Sequence, residues 1–246
     1  MELDRPFIIT TRPEEKYRSL SGYCFEIVNI PVTKVQISSN IKDIKDRLTR
    51  FNPNIIVLTS STGSDIFLKL GLNRSLRFIC IGEKTALPLQ NSGFKTEVPI
   101  EMNSYGLGKY IKSYVPEDQK IALCRSNQHD NYLDKYLGEA GYVFKDFPLY
   151  SLKKIPCDSI LSYIEIENFM GIIFTSSLET KIVVNFLAEK GKLDMLHNKN
   201  IFSIGKMTSN MLMKYGINTQ SLVSESNFEA IVKEISDKYC NSGEWI

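Results

Sequence analysis

Ile81-Gly82-Glu83-Lys84-Thr85-Ala86 has a second copy in this chain, Ile204-Gly205-Lys206-Met207-Thr208-Ser209. Each copy closes an apolar run, Leu76 to Ile81 or Ile201 to Ile204. Each then opens an amphipathic segment that stops at a glycine, Gly93 or Gly216. The spacing holds throughout, since 205 − 82, 208 − 85 and 216 − 93 all equal 123. The pattern reads as a buried strand, a glycine turn where the backbone bends sharply, and a helix whose first N–H groups lack intrahelical partners. Such a turn attracts anions, because those N–H groups and the helix dipole both favour negative charge. One G-x-x-T alone is also an ordinary helix start. Two in register predict two similar half-sites.

Outward from these turns the duplication continues. Ile172-Ile173-Phe174-Thr175-Ser176-Ser177 matches Ile56-Val57-Leu58-Thr59-Ser60-Ser61 at an offset of 175 − 59 = 116. Ile8 to Arg12 resembles Ile121 to Arg125, each a strand finishing at an arginine. Gly22-Tyr23-Cys24-Phe25 resembles Gly141-Tyr142-Val143-Phe144, and Pro31 resembles Pro148. Between the strands, helical spacing runs over Asn40 to Phe51, Gly63 to Leu70, and from Asn103 or Ser104 to Tyr114. A further helix is expected from about His129 to Gly141. Strands alternating with helices of this length predict an α/β chain with parallel sheets covered on both faces. Two equivalent units of about 120 residues follow. Their strand ends, and hence their loops, would surround one ligand cleft.

Composition narrows the function. The chain has 246 residues, 43% hydrophobic and 24% charged, with a net charge of +2. That charge is too small for a nucleic-acid grip, and no Lys/Arg run supports one. No apolar run approaches the roughly 18 residues of a membrane span. Met1-Glu2-Leu3-Asp4-Arg5 is not the start of a signal peptide. Cys24, Cys80, Cys124, Cys157 and Cys240 are odd in number and lack C-x-x-C spacing. They read most simply as reduced core residues of a cytoplasmic protein. With two histidines, His129 and His197, there is no H-E-x-x-H and no zinc set, so no metal is expected. Phosphate-loop, dinucleotide and nucleophile-elbow signatures are absent as well.

The strand ends give the expected lining. One unit offers Thr59-Ser60-Ser61-Thr62, Gly82 to Thr85 and Arg125; the other offers Thr175-Ser176-Ser177, Gly205 to Thr208 and Arg12. Hydroxyls, backbone N–H groups and two arginines suit an extended ligand with several carboxylates or phosphates. Each contact is worth only about 0.3–2 kcal/mol, so many must add. Tyr150 stands apart. It follows a proline in what reads as an interdomain strand, and its counterpart in the other unit is Thr33. An aromatic on one side alone breaks the symmetry, as a reaction needs, although packing at a domain edge would also place it there. His129, near a helix start, is expected to serve at the surface or as a cap.

The paired T-S-S strand ends, the paired I-G-x-x-T turns, Arg125-Ser126-Asn127 after a strand, and Phe147-Pro148-Leu149-Tyr150-Ser151-Leu152 together resemble the uroporphyrinogen-III synthase family. The resemblance extends in order over nearly the whole chain. It implies two flavodoxin-like, doubly wound parallel-sheet domains joined by a two-stranded β linker. Residues 1–35 plus 154–246 would form one domain and residues 36–153 the other. It further implies cofactor-free closure of the linear tetrapyrrole hydroxymethylbilane to uroporphyrinogen III. Water is lost, and the last ring is inverted through a spiro intermediate.

By the same resemblance Tyr150 assists loss of the hydroxyl, while Thr85, Thr208, Ser60 and Ser176 bind substrate. Arg12, Ser61, Gly82, Arg125, Ser177 and Gly205 complete the expected binding set. The chain departs from the family where Ser61 and Ser177 replace a common proline, Thr62 a common arginine, and Cys124-Arg125-Ser126 a Pro-Arg-Gly run. The expected protein is a cytoplasmic monomer that makes transient contact with hydroxymethylbilane synthase and has no membrane or nucleic-acid partner. A non-catalytic two-domain binder of an anionic small molecule is the competing reading.

Overall fold

The computed structural model describes residues 4–38, 41–72, 76–220 and 228–242. Met1 to Leu3 of the N-terminal reading, and Asn40 at the start of the expected first helix, lie outside them. The chain divides into two compact units, Met1–Lys34 with Lys153–Ile246, and Val35–Leu152. Among the described residues no helix is long and apolar enough to cross a membrane.

The first unit holds β1 (Phe7–Thr10), β2 (Glu26–Asn29), β9 (Phe169–Phe174) and β10 (Asn200–Ser203). They form one parallel sheet in the order β10-β9-β1-β2. The second unit holds β4 (Ile55–Leu58), β5 (Arg77–Cys80), β6 (Thr96–Glu97) and β7 (Lys120–Ser126), with most of β3 (Thr33–Ile37) and β8 (Val143–Lys154). Its sheet runs β3-β8-β7-β4-β5-β6. From β8 to β6 every pairing is parallel. The Ser38 N–H donates to Leu149 C=O and the Ile155 N–H to Val32 C=O, so β3 and β8 run antiparallel. Both strands cross from one unit to the other. β8 is one continuous strand from Val143 to Lys154. The stretch β5-β4-β7-β8 has the same order as β10-β9-β1-β2, which is how the repeated segments pair off.

Helices follow the strands: α1 (Ile41–Phe51), α2 (Ser61–Leu68), α3 (Glu83–Asn91), α4 (Ser104–Tyr114), α5 (Tyr132–Glu139), α6 (Ser159–Ile164), α7 (Ser177–Glu189), α8 (Gly205–Met213) and α9 (Phe228–Ser242). Strand residues alternate between two buried faces, as a sheet covered on both sides requires. In β4, Ile56 and Leu58 pack with Phe67, Phe78 and Phe147, while Ile55 and Val57 pack with Leu107, Ile111 and Leu137. In β1, Phe7 and Ile9 join one cluster, and Ile8 joins Phe202, Val232 and Ile235 in the other. Each such side chain contributes roughly 1.5–3 kcal/mol by leaving water.

Three expectations are corrected here. α5 starts at Tyr132, three residues later than the reading from His129, because Asn127 to Asn131 form the loop after β7. The cysteines are not uniformly reduced. Cys80, Cys124 and Cys157 are buried free thiols, but Cys24 and Cys240 form a disulfide with Cα atoms 5.7 Å apart. It joins the chain before β2 to the end of α9, two segments of the first unit separated by 216 residues. The two glycine turns also differ. Gly82 is an extended helix cap at φ −169°, whereas Gly205 has φ +73°, a left-handed conformation that only glycine enters freely. Equal sequence spacing therefore does not make equal half-sites.

Candidate functional site

In each sheet the strand order reverses direction at one place, between β7 and β4 and between β1 and β9. Loops leaving the C-terminal ends of such neighbours diverge and leave a crevice. At the β4/β7 reversal Thr59 and Ser60 leave one strand while Arg125 and Ser126 end the other. A cavity of about 210 Å³ opens there, lined by these four residues with Ile81, Ser104, Gln128, His129, Asp130, Leu133 and Tyr150. Of the sequence candidates it gathers Ser60, Arg125 and Tyr150.

Tyr150 is aimed by an irregularity in β8. Arg125 pairs with Pro148, but Ser126 pairs with Tyr150, so Leu149 is an extra residue on the β8 side. A bulge of this kind redirects the side chains beyond it. The Tyr150 ring packs in the core cluster of Phe147 and Leu149 and is 3% exposed. Its Oη lies 3.0 Å from Ser60 Oγ. Ser60 is the N-cap of α2, where its Oγ accepts the Gly63 N–H at 3.0 Å. Ser61 begins that helix and is exposed.

Arg125 is 2% exposed and bound to acids on two elements. Its Nε and Nη2 donate to Asp146 at 2.7 and 3.0 Å, and Nη2 also donates to Asp134 at 2.5 Å. Burial alone would lower its pKa, and the two carboxylates reverse this and hold it above the ordinary value. Burial pushes the Asp134 carboxyl up, but Arg125 more than offsets it, leaving Asp134 below the usual range. His129, Asp134 and Asp146 offer ligand-type atoms within 4.8 Å of one another. With the guanidinium already on both carboxylates, the cluster is an ion-pair network rather than a metal centre.

His129 is the residue that sequence reasoning set aside. Its Nδ1 lies 2.9 Å from the Ser126 carbonyl oxygen. A carbonyl only accepts, so Nδ1 carries the hydrogen and Nε2 is the proton-accepting nitrogen of the neutral ring. Nε2 stands 4.0 Å from Asp134 Oδ2, a buried oxygen with no hydrogen-bond partner among the described residues. The available signal was position: His129 lies three residues beyond Ser126, on the loop that leaves a reversal strand.

The remaining candidates in the second unit sit at the α3 turn. Gly82 is buried, and a Cβ built on it would meet the Met102 side chain at 3.3–3.5 Å. Thr85 is 5% exposed, and its carbonyl accepts Ser64 Oγ at 2.7 Å.

The first unit has a different arrangement at its own reversal. Ser176 caps α7 by accepting the Glu179 N–H at 3.2 Å, as Ser60 caps α2, and Ser177 begins the helix. Glu179 is 3% exposed, and its Oε2 accepts the hydroxyls of Thr175 at 2.9 Å and Thr11 at 3.5 Å. Burial pushes its carboxyl above the usual range; the Thr175 and Ser176 bonds and the Arg12 charge only moderate this. Arg12 lies over the Phe228 ring, 4.6 Å from the centroid. Burial lowers its pKa, with Glu179 and Glu229 pulling the other way. Thr208 is 3% exposed and Gly205 is exposed at the start of α8. Thr33, the positional counterpart of Tyr150, is fully buried, with no partner for its hydroxyl among the described residues.

Chemically, the second unit presents a phenol, a tautomer-fixed imidazole and helix N–H groups around one cavity. The first presents a carboxyl, an arginine and hydroxyls. The chain is similar in fold to the crystal structure of uroporphyrinogen-III synthetase from Helicobacter pylori. The TM-score is 0.66 at 19% identity, covering 93% of this chain and 97% of that one. It is also similar to a mutant uroporphyrinogen III synthase from the extremely thermophilic bacterium Thermus thermophilus. There the TM-score is 0.64 at 14% identity, covering 96% of this chain and 100% of that one. Likeness at these identities speaks to the fold. The family model described as uroporphyrinogen-III synthase HemD matches residues 15–233. With that match spanning most of its length, the chain belongs to the uroporphyrinogen-III synthase family.

Proposed function

We propose that this protein closes hydroxymethylbilane to uroporphyrinogen III, with Tyr150 as the acid that assists loss of the hydroxyl. The observation that carries this reading is the Tyr150 phenol, held 3.0 Å from the helix-capping Ser60 beside the cavity at the β4/β7 reversal. A phenol O–H placed against the substrate can give its proton to a leaving oxygen. Departure of that oxygen makes the first ring's methylene electrophilic. The last ring attacks through its substituted carbon to form the spiro intermediate, and fragmentation and recombination close the inverted macrocycle.

The two compact units act as flavodoxin-like domains in this reading, and β3 with β8 is the two-stranded linker. The substrate carries an acetate and a propionate on every ring. Helix N–H groups at Ser61, Ser177 and the two glycine turns are suited to these carboxylates. Arg12, Ser60, Ser176, Thr85 and Thr208 complete the binding set. Arg125 acts there chiefly by offsetting part of the charge of Asp134 and Asp146, which lessens the repulsion an anion would meet. The protein works as a monomer that receives its substrate through transient contact with hydroxymethylbilane synthase.

The test supplies hydroxymethylbilane to the purified protein and identifies the isomer formed. Type III is expected. The unassisted type I isomer alone, from folded protein, would refute the reading.

A further inference from the structure

Ring closure with inversion needs two proton movements, and Tyr150 provides only the first. A proton goes to the hydroxyl that departs as water. When the freed last ring rejoins through its unsubstituted α-carbon, that carbon holds its original hydrogen as well as the new C–C bond. The C–H bond must then break, its electron pair restoring the pyrrole and its proton passing to a base.

We infer that His129 is this base, a second catalytic residue on the same cavity as Tyr150, an inference resting on the function proposed above. Three observations support it. His129 and Tyr150 line one cavity of about 210 Å³. The Ser126 carbonyl fixes the Nδ1–H tautomer, leaving the Nε2 lone pair to accept. The imidazolium formed on uptake has a counter-charge ready, since Asp134 Oδ2 is buried, unpartnered among the described residues and 4.0 Å from Nε2. The other charges facing this corner are Arg125 on β7, Asp146 on β8 and Asp130 on the same loop. Arg125 already holds Asp146 and the second oxygen of Asp134. Protons balance: Tyr150 gives one, His129 takes one, exchange with solvent resets both, and water is the sole by-product.

The test uses the full chain with two substrates, ordinary hydroxymethylbilane and bilane deuterated at the free α-carbon of its last ring. His129→Asn keeps a donor for Ser126 and removes Nε2; His129→Gln serves if the first variant fails to fold. Single-turnover type III formation should fall about 10²-fold or more, while the rate of bilane consumption changes far less. Deuterium should slow the variant's type III formation more than the wild-type protein's. A histidine that merely shapes the loop would not move the isotope effect. Near-normal type III formation, or a loss with no rise in the isotope effect, overturns the role of His129. Type I alone from wild-type protein overturns the parent reading instead.

Discussion

Tyr150 Oη and Ser60 Oγ, 90 residues apart in sequence, lie 3.0 Å from one another, and the same serine oxygen accepts a helix N–H. The phenol is thus tied to the N-terminus of α2. Tyr150→Phe should lower the single-turnover rate of type III formation by about 10²–10⁴-fold, the span for a positioned acid. Substrate affinity should hardly change, marking an interaction made chiefly in the transition state. Ser60→Gly should give an intermediate rate while costing only about a few tenths of a kcal/mol in capping. Thr33→Ala is the control and should turn over normally. If Tyr150→Phe keeps wild-type speed, the tyrosine is a packing residue.

The two turn glycines should respond differently to one added carbon. Gly205→Ala forces a side chain into φ +73° and should cost about 1–2 kcal/mol. Gly82→Ala meets the flexible Met102 side chain and should cost less. Thermal or urea unfolding of the pair decides this; equal losses would contradict the difference in backbone conformation.

Arg125→Met should be among the most damaging single changes in the second unit. It strands two carboxylates, and loss of one partner from a buried ion pair costs roughly 3–5 kcal/mol. The pH dependence has a defined sign. Asp134 is held below its usual range, so its contribution is present above the unfolded carboxyl value of about 3.9. It is lost as pH falls through the lower folded value. The wild-type protein should therefore lose this part of its stability only in strong acid. The variant should lack it at every pH, as stability curves measured across the acid range would report.

Reduction should loosen the first unit selectively. Opening Cys24–Cys240 releases a 216-residue loop constraint, typically worth roughly 2–5 kcal/mol. A dithiol reductant, or Cys24→Ser, should lower the melting temperature and raise hydrogen exchange in α9 and β2. The burial-raised thiols of Cys80, pushed up to about 12, and Cys124 should stay unreactive. Modification of those two before α9 loosens would run against this order.

Much of the α/β pattern was legible because strand burial and glycine punctuation are local. Ile56 to Leu58 followed by Thr59-Ser60-Ser61 announces a strand, a cap and a helix within six residues. What stayed hidden depends on distant partners. Arg125 reads as a candidate anion ligand until Asp146, 21 residues on, is seen against it. Cys24 gives no hint of a partner 216 residues away. Gly82 and Gly205 share a motif, yet their backbones differ, because conformation there answers to packing such as that of Met102. His129 entered the cavity through one bond to a carbonyl, which no residue pattern encodes.

The interrupted first unit also sets an order of events during synthesis. β1 buries all four of its residues between β2, which follows shortly, and β9, which begins only at Phe169. At about 5–20 residues per second, ribosomal elongation completes the whole of Val35–Leu152 in the interval. The inner unit can fold as one continuous piece while Phe7 to Thr10 wait with one edge open. For that interval the nascent chain carries a short apolar strand with unmet backbone groups, the kind of edge that invites foreign pairing. Closure comes with β9, and the Cys24 thiol finds its partner only when the last helix emerges.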